Sequence, residues 1–418
     1  MKKLIYIYLL TINLQNIILR IIYGPITGGF HPGIIIKGGV LIALVIYYLD
    51  QLSKGLVPKN MFTYSILFAL IIYFLQIIVV EIGQFDFQFL GQSFSYSVKI
   101  FLYVFITYFV FKNHIYFISK LDNILLFNVV VVLINIILSY YFQIGWKSYE
   151  AIEDSYRGFM AGNDTSIFSF VSFGYGLYLY KKKKFLSALI IVSSAYAMYI
   201  IATKAIFVAG IILFLFLMFG LKLKMKYVFL PLLIVVSITM FSQIDFSNSI
   251  VERLFLNYNS SLAKSDVFME AFAVQDSFVL DMLNNVAPGR IIIGVAMVVK
   301  LFTDNIINML LGYGVGGIFV AFGRPPMMDI LMILGVYGVL GFFALYWPLL
   351  RISAKLIKSR DFDLVGVLFF TVFLYGSLGG FLLGTAGTNS IFALLFGIMI
   401  SRYYKSNVKK IVGCGTKK

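Results

Sequence analysis

Apolar residues run along this chain in long blocks, without the alternation that marks a half-buried strand or the three-in-seven stripe of a soluble helix. A helix needs about 20 such residues to cross the hydrocarbon core of a bilayer. Lipid offers no hydrogen bonds, so each segment must satisfy its own backbone. Twelve blocks qualify, at 4–22, 33–50, 60–80, 98–112, 123–143, 164–180, 185–202, 205–221, 227–244, 326–350, 364–384 and 388–403. They predict an all-α, polytopic integral membrane protein with about 12 transmembrane helices. A long polar-studded stretch splits the series. The chain then reads as nine spans over 1–244, one large outer loop over 245–325, and three spans with a basic tail over 326–418. Within the loop, 262–283 and 287–311 have the mixed spacing of interfacial helices. The run Gly312 to Gly317 is expected to interrupt regular structure, because glycine adopts angles that other residues avoid.

Composition agrees: 61% of residues are hydrophobic and 12% charged, where a soluble domain carries roughly 25% charged residues. Charge placement sets the predicted orientation. With Met1 in the cytoplasm, the inner segments hold 23 of the 34 basic residues against only Asp50, Asp122, Asp361 and Asp363. Short loops rich in Lys and Arg stay inside, so both termini are expected to be cytoplasmic. The formal charge of +16 is then a topology signal, and nucleic acid is not an expected partner. Met1-Lys2-Lys3 and the apolar run after it resemble a signal peptide. No small-residue cleavage site follows, and Gln15, Asn16 and Arg20 interrupt the run, so it reads as an uncleaved first span. The lone Cys414 and the distant His31 and His114 offer neither a disulfide framework nor metal-ligand spacing. No metal and no cofactor is expected.

Candidate chemistry gathers on the outer side. Ser155 to Asp164 places Arg157, with a planar fork suited to phosphate, among Gly158, Gly162, Asn163 and Asp164. Asn163 and Asp164 suit the start of a helix, where free N–H groups favour anions. Snorkelling of Arg157 to lipid headgroups is the alternative. Arg290 in the large loop is followed by Gly312 and Gly314, whose turn either presents amides to phosphate or simply joins two helices. Asp329 falls in the first turn of the tenth span. An ionisable residue there is a functional hypothesis, as a general base or an arginine's partner, or else it complements the helix dipole. Lys204, Arg253 and Arg324 are further phosphate contacts or interface anchors.

In this order, these residues resemble the O-antigen polymerase/ligase superfamily of bacterial envelope glycan assembly. The resemblance rests on Arg157, Gly158 and Asn163 before a middle span and on Lys204 in a short later turn. It continues through Arg290, the Gly312/Gly314 pair and Leu331-x-x-x-Gly335-x-x-Gly338 around the large loop. It implies a GT-C-like helical membrane glycosyltransferase of the bacterial inner membrane. The implied substrate is an oligosaccharide on undecaprenyl pyrophosphate, joined to the next repeat unit at the periplasmic face. Membrane lipids and a separate chain-length regulator are the implied partners. Ligases of the superfamily usually carry a histidine before the re-entry helix, where this chain has Pro325-Pro326-Met327-Met328-Asp329. That departure favours the repeat-unit polymerase branch. The alternatives are an O-antigen ligase and a lipid-linked oligosaccharide flippase. Spans that read as nearly charge-free argue for a surface enzyme over a transporter.

Overall fold

A computed structural model describes residues 1–24, 32–81, 87–147, 156–180, 182–201, 290–322, 328–359, 363–378, 382–383, 385 and 387–415. The described chain is almost wholly helical. The N-terminal helices are α1 (Lys2–Tyr23), α2 (Pro32–Ser53), α3 (Met61–Gln76, continued by a π turn at Ile77–Glu81), α4 (Phe87–Lys112) and α5 (His114–Phe142). A small hairpin follows, of β1 (Trp146–Lys147) and β2 (Tyr156–Gly158), and then α6 (Gly162–Leu179) and α7 (Lys184–Ile201). The second part holds α8 (Arg290–Thr303), α9 (Ile306–Leu311), α10 (Gly314–Phe322), α11 (Asp329–Ser359), α12 (Leu364–Leu378) and α13 (Gly387–Gly415).

Seven of these helices are long and apolar enough to cross a membrane, at Lys2–Tyr23, Pro32–Ser53, Met61–Val80, Ser93–Lys112, His114–Phe142, Lys184–Ile201 and Asp329–Leu356. The protein is an all-α polytopic membrane protein. Helices α6, α12 and α13 cover three more of the expected spans. The expected spans at 205–221 and 227–244, and the loop helix at 262–283, lie outside the described residues.

The ends of the elements follow local chemistry. Asn60 caps α3 by accepting from the Thr63 N–H at 2.9 Å, and Asn305 caps α9 through the Asn308 N–H at 2.7 Å. Gly24 closes α1 at φ 77°, its N–H bonded to Arg20 O. Three details depart from the sequence reading. Residues 114–122, read there as a connection, are the first turns of α5, separated from α4 by Asn113 alone. Residues 314–317 begin α10, so the glycine run breaks regular structure only from Gly312 to Gly314, whose φ is 69°. The hairpin was not expected in an all-helical chain; it holds because Trp146 pairs with Gly158 and Lys147 with Tyr156.

Helix α4 is the centre. Every residue from Ile100 to Val110 is buried, as expected of a helix apolar on all faces, and it packs against α2 and α13. Phe369 of α12 stacks on Phe392 and Phe396 of α13 at 5.4 and 5.5 Å. The two ends of the bundle keep separate company. Lys112 Nζ donates to Leu56 O, Lys182 pairs with Asp122, Arg402 with Asp363, and Lys355 donates to Tyr403 O. Each contact joins segments that the sequence grouping puts on one side.

Helix α11 is broken at Gly338, where φ is 65°. The break fits Gly312 backbone to backbone. A Cβ on Gly338 would lie 2.4 Å from Leu310 O, and one on Gly312 would lie 2.3 Å from Val336 O. The Tyr313 N–H closes the joint on Gly335 O at 2.7 Å. Both glycines have positive φ, so a side chain is penalised twice. Gly312→Ala and Gly338→Ala are each expected to destabilise the protein by about 2–5 kcal/mol, combining ~1–3 of backbone strain with ~1–3 of overpacking. Thermal melting of the purified protein in detergent checks this, and an unchanged midpoint in both variants rejects the joint.

Candidate anion site at one end of the bundle

The hairpin exists to hold Arg157. Asn135 of α5 grips its backbone from both sides, with Nδ2 donating to Arg157 O at 3.3 Å and Oδ1 accepting from the Phe159 N–H at 3.0 Å. The intervening Gly158 sits at φ 69°, and a Cβ there would fall 2.3 Å from Asn135 Nδ2. Only glycine permits that grip. The guanidinium is drawn inward towards Gly162, where a Cβ would be 3.2 Å from Nη1. Burial holds its pKa below the usual arginine value, yet the group remains charged. Its buried Nε has no hydrogen-bond partner.

Three other cations share this end, and the sequence reading did not single them out. Arg20 at the end of α1 places its guanidinium carbon 5.3 Å from the Trp146 ring. Lys37 is buried on α2, 8% exposed, on the stripe that includes Ile34, Leu44 and Tyr48. Lys99, midway along α4, lies over the Tyr96 ring at 5.1 Å. Arg20 is within electrostatic reach of Arg157 and Asp164. Lys37 feels Lys99, Asp164 and Arg20, and Lys99 feels Asp164 and Arg20. Three cations therefore feel one carboxylate, and Arg157 joins them through Arg20. Among the described residues, none of the four forms an ion pair closer than 4 Å.

The one acid is engaged elsewhere. Asp164, 4% exposed at the start of α6, accepts from the Thr388 N–H at 3.0 Å and the Thr388 hydroxyl at 2.6 Å. It thereby caps α13 across the bundle. The Thr388 hydroxyl also touches that of Thr385. Asn389 donates to Lys99 O at 2.8 Å and Leu383 O at 2.7 Å, which ties the cap to the backbone of a cluster lysine. On α1, Asn13, Asn16 and Arg20 follow a helical spacing that puts them on one face. Asn13 is fully buried with neither amide atom partnered, and Asn16 Nδ2 is likewise unpartnered. Both lie against Gly387, next to Thr388. Unmet donors and acceptors are costly in such a place. Here they stand beside excess positive charge. The arrangement suits a polar ligand carrying more than one negative charge.

The sequence-predicted residues are distributed unevenly around this centre. Arg157 is in it. Asn163 is the second residue of α6, directly before Asp164, and its side chain is outside the described set. Asp329, 1% exposed, opens α11 and accepts from the Leu382 N–H at 3.1 Å and the Leu383 N–H at 3.0 Å. Asp329 thus holds the segment joining α12 to α13, and Asp164 the start of α13. Gly312 and Gly314 flank the joint with α11. The Gly312 N–H is bonded to Asn308 O and the Tyr313 N–H to Gly335 O, so these two amides are committed within the fold. Arg290 begins α8, with its side chain outside the described set. Lys204, Arg253 and Arg324 lie outside the described residues.

Arg20, Lys37 and Lys99 had a signal in the sequence. A cation inside an apolar block is expensive and marks a site by default. Lys37 and Lys99 also correct the reading of the spans as nearly charge-free. Compared with protein-family models, curated proteins and solved structures, the chain matches none.

Proposed function

We propose that this chain is a membrane glycosyltransferase of about twelve spans that polymerises undecaprenyl pyrophosphate-linked oligosaccharide units into O-antigen or a related surface polysaccharide. It would act at the periplasmic face of the inner membrane, with both termini in the cytoplasm. The observation that carries the reading is the gathering of four cations, in which Arg20, Lys37 and Lys99 all feel Asp164 and Arg157 feels Arg20. Transfer of a glycan from a lipid pyrophosphate makes a new bond from the acceptor hydroxyl oxygen to the anomeric carbon. The bond from that carbon to the pyrophosphate oxygen breaks, and the pyrophosphate leaves with the electron pair. Fixed cations in a dry site stabilise that developing charge without reorganising. The hydroxyl proton passes to a base; both oxygens of Asp329 and one of Asp164 already accept hydrogen bonds within the fold.

One observation favours a second reading. Lys37 and Lys99 lie within helices, and charge buried in spans is a mark of transport pathways. A flippase for the same lipid-linked anion would use the same cations. A chromosomal deletion separates the readings. The expected phenotype is a core bearing single repeat units, detected as collapse of the glycan ladder to one band. Absence of repeats on the core with lipid-linked units in the periplasm supports the ligase. Retention of those units on the cytoplasmic leaflet supports the flippase.

A further inference from the structure

The hairpin that carries Arg157 also holds Arg20. Trp146 pairs with Gly158 and the next residue, Lys147, pairs with Tyr156, so one step on β1 faces two on β2 and Arg157 is the extra residue of a bulge. A bulge re-aims a side chain and commonly adjoins a functional site. On β1, the Trp146 ring meets the Phe159 ring edge-on at 5.8 Å and has the Arg20 guanidinium over it at 5.3 Å. Phe159 is itself tied to Asn135, the residue that grips the Arg157 backbone. One small hairpin therefore fixes two guanidiniums that come from distant parts of the chain.

Stacking on a ring occupies the flat face of a guanidinium and leaves its N–H edge for hydrogen bonds. Among the described residues that edge is unspent, since neither Arg20 nor Arg157 makes a side-chain hydrogen bond or an ion pair closer than 4 Å. Both side chains are half-buried, and the two charges repel each other. Two free forks held together against repulsion fit a ligand with two negative groups in tandem. We infer that Trp146 is a positioning residue: by stacking on Arg20 it sets the gap between Arg20 and Arg157, so that the pair takes both phosphates of a polyprenyl pyrophosphate and discriminates against the monophosphate. The inference rests on the proposed function and adds the residue that sets the phosphate count. Lys37 and Lys99 act as point charges without a fork and attract either lipid.

The test uses the purified full chain in phospholipid nanodiscs with a fluorescently tagged polyprenyl pyrophosphate as the probe. Unlabelled undecaprenyl pyrophosphate, undecaprenyl monophosphate and phosphatidylglycerol compete for it. The wild-type protein is expected to bind the pyrophosphate at least about tenfold more tightly than the monophosphate, a difference of ~1.4 kcal/mol or more. Trp146→Leu brings that ratio below about twofold by weakening the pyrophosphate alone, and Trp146→Phe, which keeps a ring face, retains most of it. Arg20→Ala loses the ratio as Trp146→Leu does. A Trp146 that only packs the hairpin would weaken both lipids alike or neither, and either result in Trp146→Leu overturns the inference. So does a Trp146→Phe that behaves as the leucine variant. Equal binding of the two lipids by the wild-type protein overturns it too and leaves the functional reading standing. Binding of neither lipid, or displacement by phosphatidylglycerol as effective as by the pyrophosphate, overturns the functional reading as well.

Discussion

Arg157→Ala is expected to reduce surface polymer by about a hundredfold or more, the scale seen when one preorganised charge-stabilising donor is removed. The protein should remain in the membrane at normal amount and melt at nearly its normal temperature. The structure separates the two effects. The hairpin is held through the Arg157 backbone, by Asn135 and by the pairing with β1. The side chain contributes no hydrogen bond from Nε and no ion pair. Its removal also relieves mutual repulsion with Arg20. A side chain that contributes so little to the fold, yet is held so firmly by it, is free to serve the ligand of the proposed function. Arg157→Lys should restore little, because an ammonium lacks the planar fork that binds two phosphate oxygens. On the resemblance to the polymerase superfamily, Arg290→Ala should lose polymer likewise. A normal glycan ladder from Arg157→Ala, with membrane amount verified by immunoblot, removes the cation cluster from the reaction.

How far the sequence reached depended on the range of the information. Hydropathy is local, and the long apolar helices were legible from it. The Gly312–Gly338 joint was not, because its two halves lie 26 positions apart in the chain and each makes sense only against the other. The same holds for the site. Arg157 stood out through its setting of Gly158, Gly162 and Asn163. Lys37 and Lys99 are single charges inside apolar blocks, and Arg20 read as an interruption of a span. What joins them is the fold, which brings charges from α1, α2 and α4 within electrostatic reach of Asp164, and no spacing in the sequence encodes that. Asp164 itself was legible as a helix cap, but the helix it caps is α13, 224 positions away. Binding surfaces built across helices of this kind are the hardest part of a membrane protein to read from one sequence, since each contributor is locally ordinary.

Asp329 is where a sequence-level hypothesis and the structure give different expectations for one experiment. A general base replaced by an amide loses activity in a protein that stays folded. The carboxylate found here binds two backbone amides with its two oxygens while 1% exposed. Asp329→Ala would strand the Leu382 and Leu383 N–H groups in a dry interior, at about 1–3 kcal/mol each. Asp329→Asn keeps one acceptor oxygen and turns an N–H₂ towards the second amide, so it should cost roughly half as much. Melting temperature should fall in the order wild type, Asn, Ala. Polymer should fall with the folded fraction, because the segment that Asp329 holds leads directly into Thr388 and Asn389 of α13, the partners of Asp164 and Lys99. Gly376→Ala supplies a control that removes no ionisable group. A Cβ there would lie 2.6 Å from Asp329 Oδ2 and push the carboxylate off its amides. It should reproduce the loss of stability. If Asp329→Asn abolishes polymer at an unchanged melting temperature while Gly376→Ala keeps it, the carboxylate is chemical rather than structural. A proton acceptor for the transfer would then have been found.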